Sequence, residues 1–182
     1  MDTHAALRGR RTIHRFRPGE VPAALLDRAL EAAHHAPCHR RTWPWRFHVL
    51  GEATREALLP VLLDEKRRKG PLEDEQAEAI ARQFRAPGAM VMVVQQLDPR
   101  PDVAVEDAAA VAAAVENLQL SLWADGVGSK WGTGGLVRAP ATRTILGLAE
   151  NEVATALLWI GWPAEVPDVE RPCWSDHVVR HG

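Results

Sequence analysis

From Val105 to Asp125 the chain carries its longest helical pattern, and the run Ala108 to Ala114 gives that helix small side chains nearly all the way round. Small side chains let another helix approach closely, so the rest of the chain has to be arranged about this segment. Gly126 follows where a helix stop is expected, because glycine adopts the left-handed conformation that ends helices. On either side along the chain, Ala89 to Gln95 and Val153 to Ile160 are apolar on both faces, the pattern of strands covered above and below.

The remaining elements are shorter. Ala5 to Arg10 reads as a short helix, and a second starts at Pro22, where the missing N–H of proline costs nothing. Leu25, Leu26, Ala29, Leu30 and Ala33 recur along it at helical spacing, and Pro37 ends it. Arg46 to Leu50 alternates as a strand with Phe47 and Val49 on one face. Ala53 to Lys69 is helical in pattern, with Pro60 expected to kink or split it. Pro71 to Arg85 runs from acidic to basic, which complements the dipole of an exposed helix. Gly128 to Trp131 reads as a short strand and Pro140 to Leu146 as a short helix ended by Gly147. Beyond Pro163 periodicity fades, as expected of a tail laid along a surface or a partner. Many helices, few strands and one long small-residue helix in the middle predict a three-layer α+β domain over residues 1–182. A dinucleotide fold would instead open with a strand and a glycine turn.

Charge and composition remove several functions. Twenty-two basic against twenty-four acidic residues leave a formal net charge of -2, so no global cationic field draws the chain to nucleic acid or anionic lipid. The longest apolar stretch, 108–124, is interrupted by Glu116, Asn117 and Gln119, which predicts no membrane span. The arginine-rich start has no apolar run behind it, so a cytoplasmic location is expected. Cys38 and Cys173 are read as reduced thiols. With seven Trp, three Phe and no Tyr, no tyrosine can act as acid or nucleophile.

Three clusters could carry chemistry. In the segment from Gly126 to Gly135, the lysine follows Ser129 and no Ser or Thr follows it, so it is not a phosphate loop of the P-loop type. Trp131 stands where the dinucleotide fingerprint needs its third glycine. What remains is either a plain turn or a loop whose backbone N–H groups approach a ligand, unobstructed at Gly132, Gly134 and Gly135. Arg8, Arg10, Arg11, Arg15 and Arg17 form either a solvated basic face or a phosphate site, with Thr12 adding a hydroxyl. His34, His35, Cys38 and His39 sit within six residues, but Pro37 breaks the helix that would align them and no close cysteine pair is present, so no metal site is expected. Glu116 and Asp125 do not meet on adjacent turns, and Ser121 lacks a glycine elbow, so no hydrolytic apparatus is visible.

The order of Arg10-Arg-Thr-Ile-His-Arg-Phe16, Val21-Pro22, Ala36-Pro37-Cys-His39 and Pro44-Trp45-Arg-Phe47 resembles the opening of the nitroreductase family. Gly126-Val-Gly128, Trp131-Gly-Thr-Gly134 and Leu157-Leu-Trp-Ile-Gly-Trp-Pro163 look like the later glycine turn, flavin loop and last core strand of its short branch. The resemblance implies a mostly antiparallel sheet flanked by helices, and a homodimer with the long helix at its interface and FMN bound between subunits. It further implies NADH or NADPH as co-substrate, a small-molecule electron acceptor such as a nitro compound or quinone, and hydride transfer through flavin N5. The alternative is an FMN-binding or metal-stabilised interaction protein with little turnover. By the same resemblance, Arg10, Arg11 and Thr12 meet the FMN phosphate and ribityl chain, His35 and His39 reach the flavin of the other subunit, and Trp131, Gly132 and Thr133 form the flavin loop.

Three positions depart from the family pattern: Trp43 replaces a glutamine before Pro-Trp, Arg41 an asparagine, and Gly132 an arginine whose phosphate contact Lys130 or Arg138 would have to supply. Trp43 brings an indole either over the flavin pocket or into the core or dimer contact.

Overall fold

A computed structural model describes residues 1–182. In chain order the elements are α1 (Thr3–Gly9), β1 (Phe16–Arg17), α2 (Ala23–His34), β2 (Trp45–Val49), α3 (Glu52–Arg67), α4 (Asp74–Arg85), β3 (Ala89–Gln96), α5 (Pro101–Ala124), β4 (Gly128–Gly132), α6 (Gly135–Arg138), α7 (Pro140–Leu146) and β5 (Glu152–Pro163). A single 3-10 turn, Trp174–His177, interrupts the exposed tail.

All strand pairings are antiparallel, in the order β1-β5-β3-β2, with β4 also on β5. The sheet divides the core into two clusters. Val91 and Val93 of β3, with Ala156, Leu158 and Ile160 of β5, face α2 and α5 in a cluster of 18 buried residues. Met90, Met92 and Val94, with Leu157, face α3, α4 and α6 in a cluster of 11. This alternation is the period of two of a pleated strand buried on both sides. A register shift opposite Val93 and Val94 puts Thr155 in a bulge, which is why Ala154 packs on the α3 side although Ala156 packs on the α5 side. The fold is therefore α+β, three layers deep, with the expected central sheet.

The ends of the helices follow their local chemistry. Gly126 and Gly147, both with positive φ, take the left-handed conformation just past α5 and α7, where a side chain would be strained. Pro101 opens α5 four residues ahead of the expected Val105, since proline fits the first turn. The expected break at Pro60 does not occur: α3 runs unbroken from Glu52 to Arg67. Pro60 is exposed, so the carbonyl that loses its partner faces water and the helix continues. Val49 is 53% exposed although it shares a strand face with Phe47, which packs against the core. No helix is long and apolar enough to cross a membrane.

Candidate functional site

The first functional segment is set by a glycine. After α1, whose start is capped by the Asp2 carboxylate accepting from the Ala5 N–H at 2.9 Å, Arg10 turns the chain into an extended run. Ile13 is fully buried and donates its N–H to the Ser129 carbonyl at 3.0 Å. A Cβ at Gly128 would stand 2.5 Å from the Ile13 side chain, so only glycine lets the run lie against β4. Thr12 pairs with Ser129 in parallel as a result. Ser129 is buried in turn, and its hydroxyl accepts from Gln119 of α5 at 2.9 Å, which ties this sheet edge to the long helix.

Along that edge lie six of the sequence-predicted residues. Arg10 donates through Nε to Glu116 of α5 at 3.1 Å and is partly buried, which fixes its direction and leaves its other N–H groups free of protein partners. Arg11 folds back on the carbonyls of Arg8 and Arg10, at 2.7 and 3.1 Å. Thr12 is exposed and its hydroxyl has no partner within the chain. Trp131 is 39% exposed, and beyond it the backbone N–H groups of Thr133 and Gly134 have no partner within the chain. Nothing lies within 4 Å of the space a Gly134 side chain would fill, and at Gly132 the nearest atom would be the Leu157 carbonyl at 3.6 Å. Guanidinium, hydroxyl and free amide donors thus line one strip, suited to an anion followed by acceptor atoms.

His35 and His39 are elsewhere. Both are exposed, His35 in a depression beside Asn117 and Ser121, His39 in another beside Glu106, Ala109 and Ala113. Neither depression contains a residue of Arg10–Thr12 or Trp131–Thr133. The histidine–cysteine cluster does not converge: His34 accepts from the Trp45 indole at 3.3 Å, Cys38 contacts Thr42 at 3.3 Å, and both cysteines are free.

One residue escaped the sequence reading. Asp107 is 2% exposed on the inner side of α5; its Oδ1 accepts from the Thr42 hydroxyl at 2.5 Å, and its Oδ2 is buried without a partner. It sits at helical spacing between the buried Val103 and Val111, a signal that places it on the inward face. Its partner loop, 38–44, holds Arg41 and Trp43 in the left-handed region, at φ 55° and 44°. Trp43 is 47% exposed, which rules out the core as its place. Lys130 does not serve the arginine edge: its ammonium lies 4.4 Å from the Trp159 ring centroid, on the α3 side of the sheet, while Arg138 is exposed at the end of α6.

Comparison with known proteins gives a consistent picture. The profile of the Nitroreductase family matches residues 7–162. YfhC of Bacillus subtilis, which carries the name of an NAD(P)H nitroreductase, is 32% identical over 168 residues, 91% of this chain and 86% of its own. A nitroreductase-like family protein of Bacillus cereus superposes with a TM-score of 0.86 at 26% identity, over 100% of this chain and 96% of that one. A Desulfovibrio desulfuricans protein, described as a nitroreductase and solved with FMN, has the same fold, with a TM-score of 0.76 at 21% identity over 99% of this chain and 96% of its own.

Proposed function

The chain belongs to the nitroreductase family, and from that premise we propose that it is an FMN-dependent NAD(P)H oxidoreductase that reduces nitroaromatic or quinone-type acceptors. We read residues 1–182 as a single FMN-binding unit acting in the cytoplasm as a homodimer. The observation that carries this reading is the donor strip: free N–H groups at Thr133 and Gly134 stand along the same edge as the unpartnered Thr12 hydroxyl and the Glu116-held Arg10. That donor set fits the flavin mononucleotide, a phosphate at one end and a ring of acceptor atoms at the other.

In this reading Arg10 and Arg11 hold the phosphate, Thr12 the ribityl chain, and Trp131, Gly132 and Thr133 the ring. His35 and His39 come from the second copy, which agrees with their separation from the strip within one chain. The second copy docks on α5, whose outward positions Val105, Ala108 and Ala109 are exposed and small enough for close approach. FMN, when bound, would supply the redox chemistry, hydride transfer between the nicotinamide and the acceptor. The protein's part is positioning: Glu116 aims Arg10, the Gln119–Ser129 bond keeps β4 in register, and Gly128 seats the arginine run.

The test is an absorbance spectrum of the purified protein before and after anaerobic NADPH. A flavin band that bleaches supports the oxidoreductase; a band that does not bleach leaves a flavin binder without turnover, and a colourless protein that takes up no added FMN overturns the proposal. Light scattering at micromolar concentration should give twice the 20.1 kDa chain mass, and a monomer would remove the two-copy site.

A further inference from the structure

On the sheet face away from α5, a cavity of about 300 Å³ opens between the end of α3, the helix α4 and the turn from β4 into α6. Its walls are apolar, with Leu62, Ile80, Leu157 and the Trp159 indole, and three lysines line it as well: Lys66, Lys69 and Lys130. None of the three takes part in an ion pair. The one carboxylate on the lining, Glu65, already pairs with Arg68 at 2.7 Å.

Lys130 is the telling member. Its side chain leaves β4 on the side opposite Ser129, so the hydrogen bond that ties β4 to α5 does not involve it. Its ammonium rests over the Trp159 ring at 4.4 Å, half-buried. Burial first, and the charge of Lys66 second, hold it below the ordinary lysine range. A partly desolvated cation facing a second cation, with the one lining carboxylate already paired to Arg68, is costly to stability: a neutral side chain would pack there at less cost. An anion in the cavity removes the conflict, since it screens the two ammoniums from each other and offers Lys130 a charge-assisted hydrogen bond. The apolar walls and the indole call for a flat apolar body on that anion, and the volume lies at the lower end of small-ligand pockets, about 300 to 1,000 Å³.

We propose that this cavity is a second ligand site, for small aryl or heteroaryl carboxylates, with the carboxylate between Lys130 and Lys66 and the ring against Leu62, Leu157 and Trp159. Gly132 and Gly134 also line the cavity, so its occupant would border the loop assigned above to the flavin. The inference rests on the cavity and its charges and stands whether or not that loop holds FMN.

The experiment is calorimetric titration of the protein as purified with 1-naphthoate and with its neutral isostere 1-naphthamide, following the flavin band in the same samples. The acid should bind one per chain and the amide at least tenfold more weakly. Lys130→Met should weaken the acid at least tenfold without lowering the melting temperature, Lys130→Arg should restore most of the affinity, and the exposed Lys66→Gln should weaken it severalfold. No heat with naphthoate, equal affinity of acid and amide, or unchanged affinity in both Lys130→Met and Lys66→Gln would overturn the proposal. So would release of FMN by naphthoate, which would make the cavity part of the flavin site. A colourless protein that still binds naphthoate separates the two readings, since the heat reports the lysine cavity alone.

Discussion

The two faces of the sheet are cut from the same strands and finished differently. On the α5 face the strands present valine, leucine, isoleucine and alanine to a helix whose own contribution is Ala110, Val111, Ala114, Val115 and Leu118. Small groups on both sides allow close approach, and little room is left over. On the α3 face the strands present Met90, Met92 and Trp159, with Phe84 edge-on to the indole at 5.6 Å, and a cavity remains beside them. Methionine and aromatic side chains fill irregular space but do not close it as alanine against valine does. The difference assigns the faces separate work: the tight one fixes the position of the donor strip through Gln119 and Glu116, and the loose one keeps room for a ligand.

If that division is right, equal truncations on the two faces have unequal costs. Leu118 lies in the fully buried seam of α5. Leu118→Ala should therefore destabilise by about 2 to 5 kcal/mol, the usual range for a leucine that leaves an uncollapsed hole. Leu62 stands on the wall of an existing cavity, where part of its surface already lacks neighbours. Leu62→Ala should accordingly cost less than half as much, since fewer packing contacts are lost. Urea denaturation of both variants measures this directly, and equal losses would break the comparison.

Three further changes probe what the tight face holds in place. Arg10→Ala should weaken FMN binding by about 1.5 to 3 kcal/mol, the worth of a hydrogen bond to a charged group. Arg17→Ala should leave it almost unchanged, because that side chain is exposed and spends its Nε on the Pro163 carbonyl. Equal dissociation constants for the two would reduce the arginine cluster to a solvated surface. Thr42→Val should cost about 1 to 3 kcal/mol of stability, the penalty for a buried polar group left unsatisfied. It leaves Asp107, whose Oδ2 already lacks a partner, with no hydrogen bond at all. A variant as stable as the parent would mean that loop 38–44 is held by packing instead.

What was legible in the chain was local. The glycines that stop α5 and α7, the proline near the start of α2 and the two-sided apolar strands each act within a turn or two of themselves, and the structure has them where the pattern puts them. Pro60 misled because its consequence depends on which side of α3 faces water, a tertiary fact. The two-residue strand β1 and the bulge at Thr155 depend on partners more than a hundred and about sixty residues away, respectively. The donor strip joins the start of the chain to residues 128–134, and the order of motifs suggested that union without giving its geometry; the closeness of Ile13 to Gly128 supplies it. The lysine cavity was invisible for the same reason, because Lys66 and Lys130 share no period.

Trp43 should give the smallest effect on stability and decide how the tight face meets the acceptor. Its ring is half in water, and its carbonyl accepts from Arg46 at 3.1 Å whatever side chain it bears. Trp43→Gln should therefore leave stability almost unchanged, as surface substitutions away from special features do. The backbone there is left-handed, where a bulky residue is strained, so Trp43→Gly should be at least as stable as the glutamine variant. Taking the indole to cover the flavin edge of the second copy, both variants should turn over bulkier nitroaromatics faster than the parent while keeping their FMN. The ring's loss then changes access without changing packing, because the loop that carries it is still held by Thr42 on Asp107. If the melting temperature of Trp43→Gln drops by several degrees and the acceptor profile stays as it was, the indole is a packing residue of the dimer contact and has no part in selecting the acceptor.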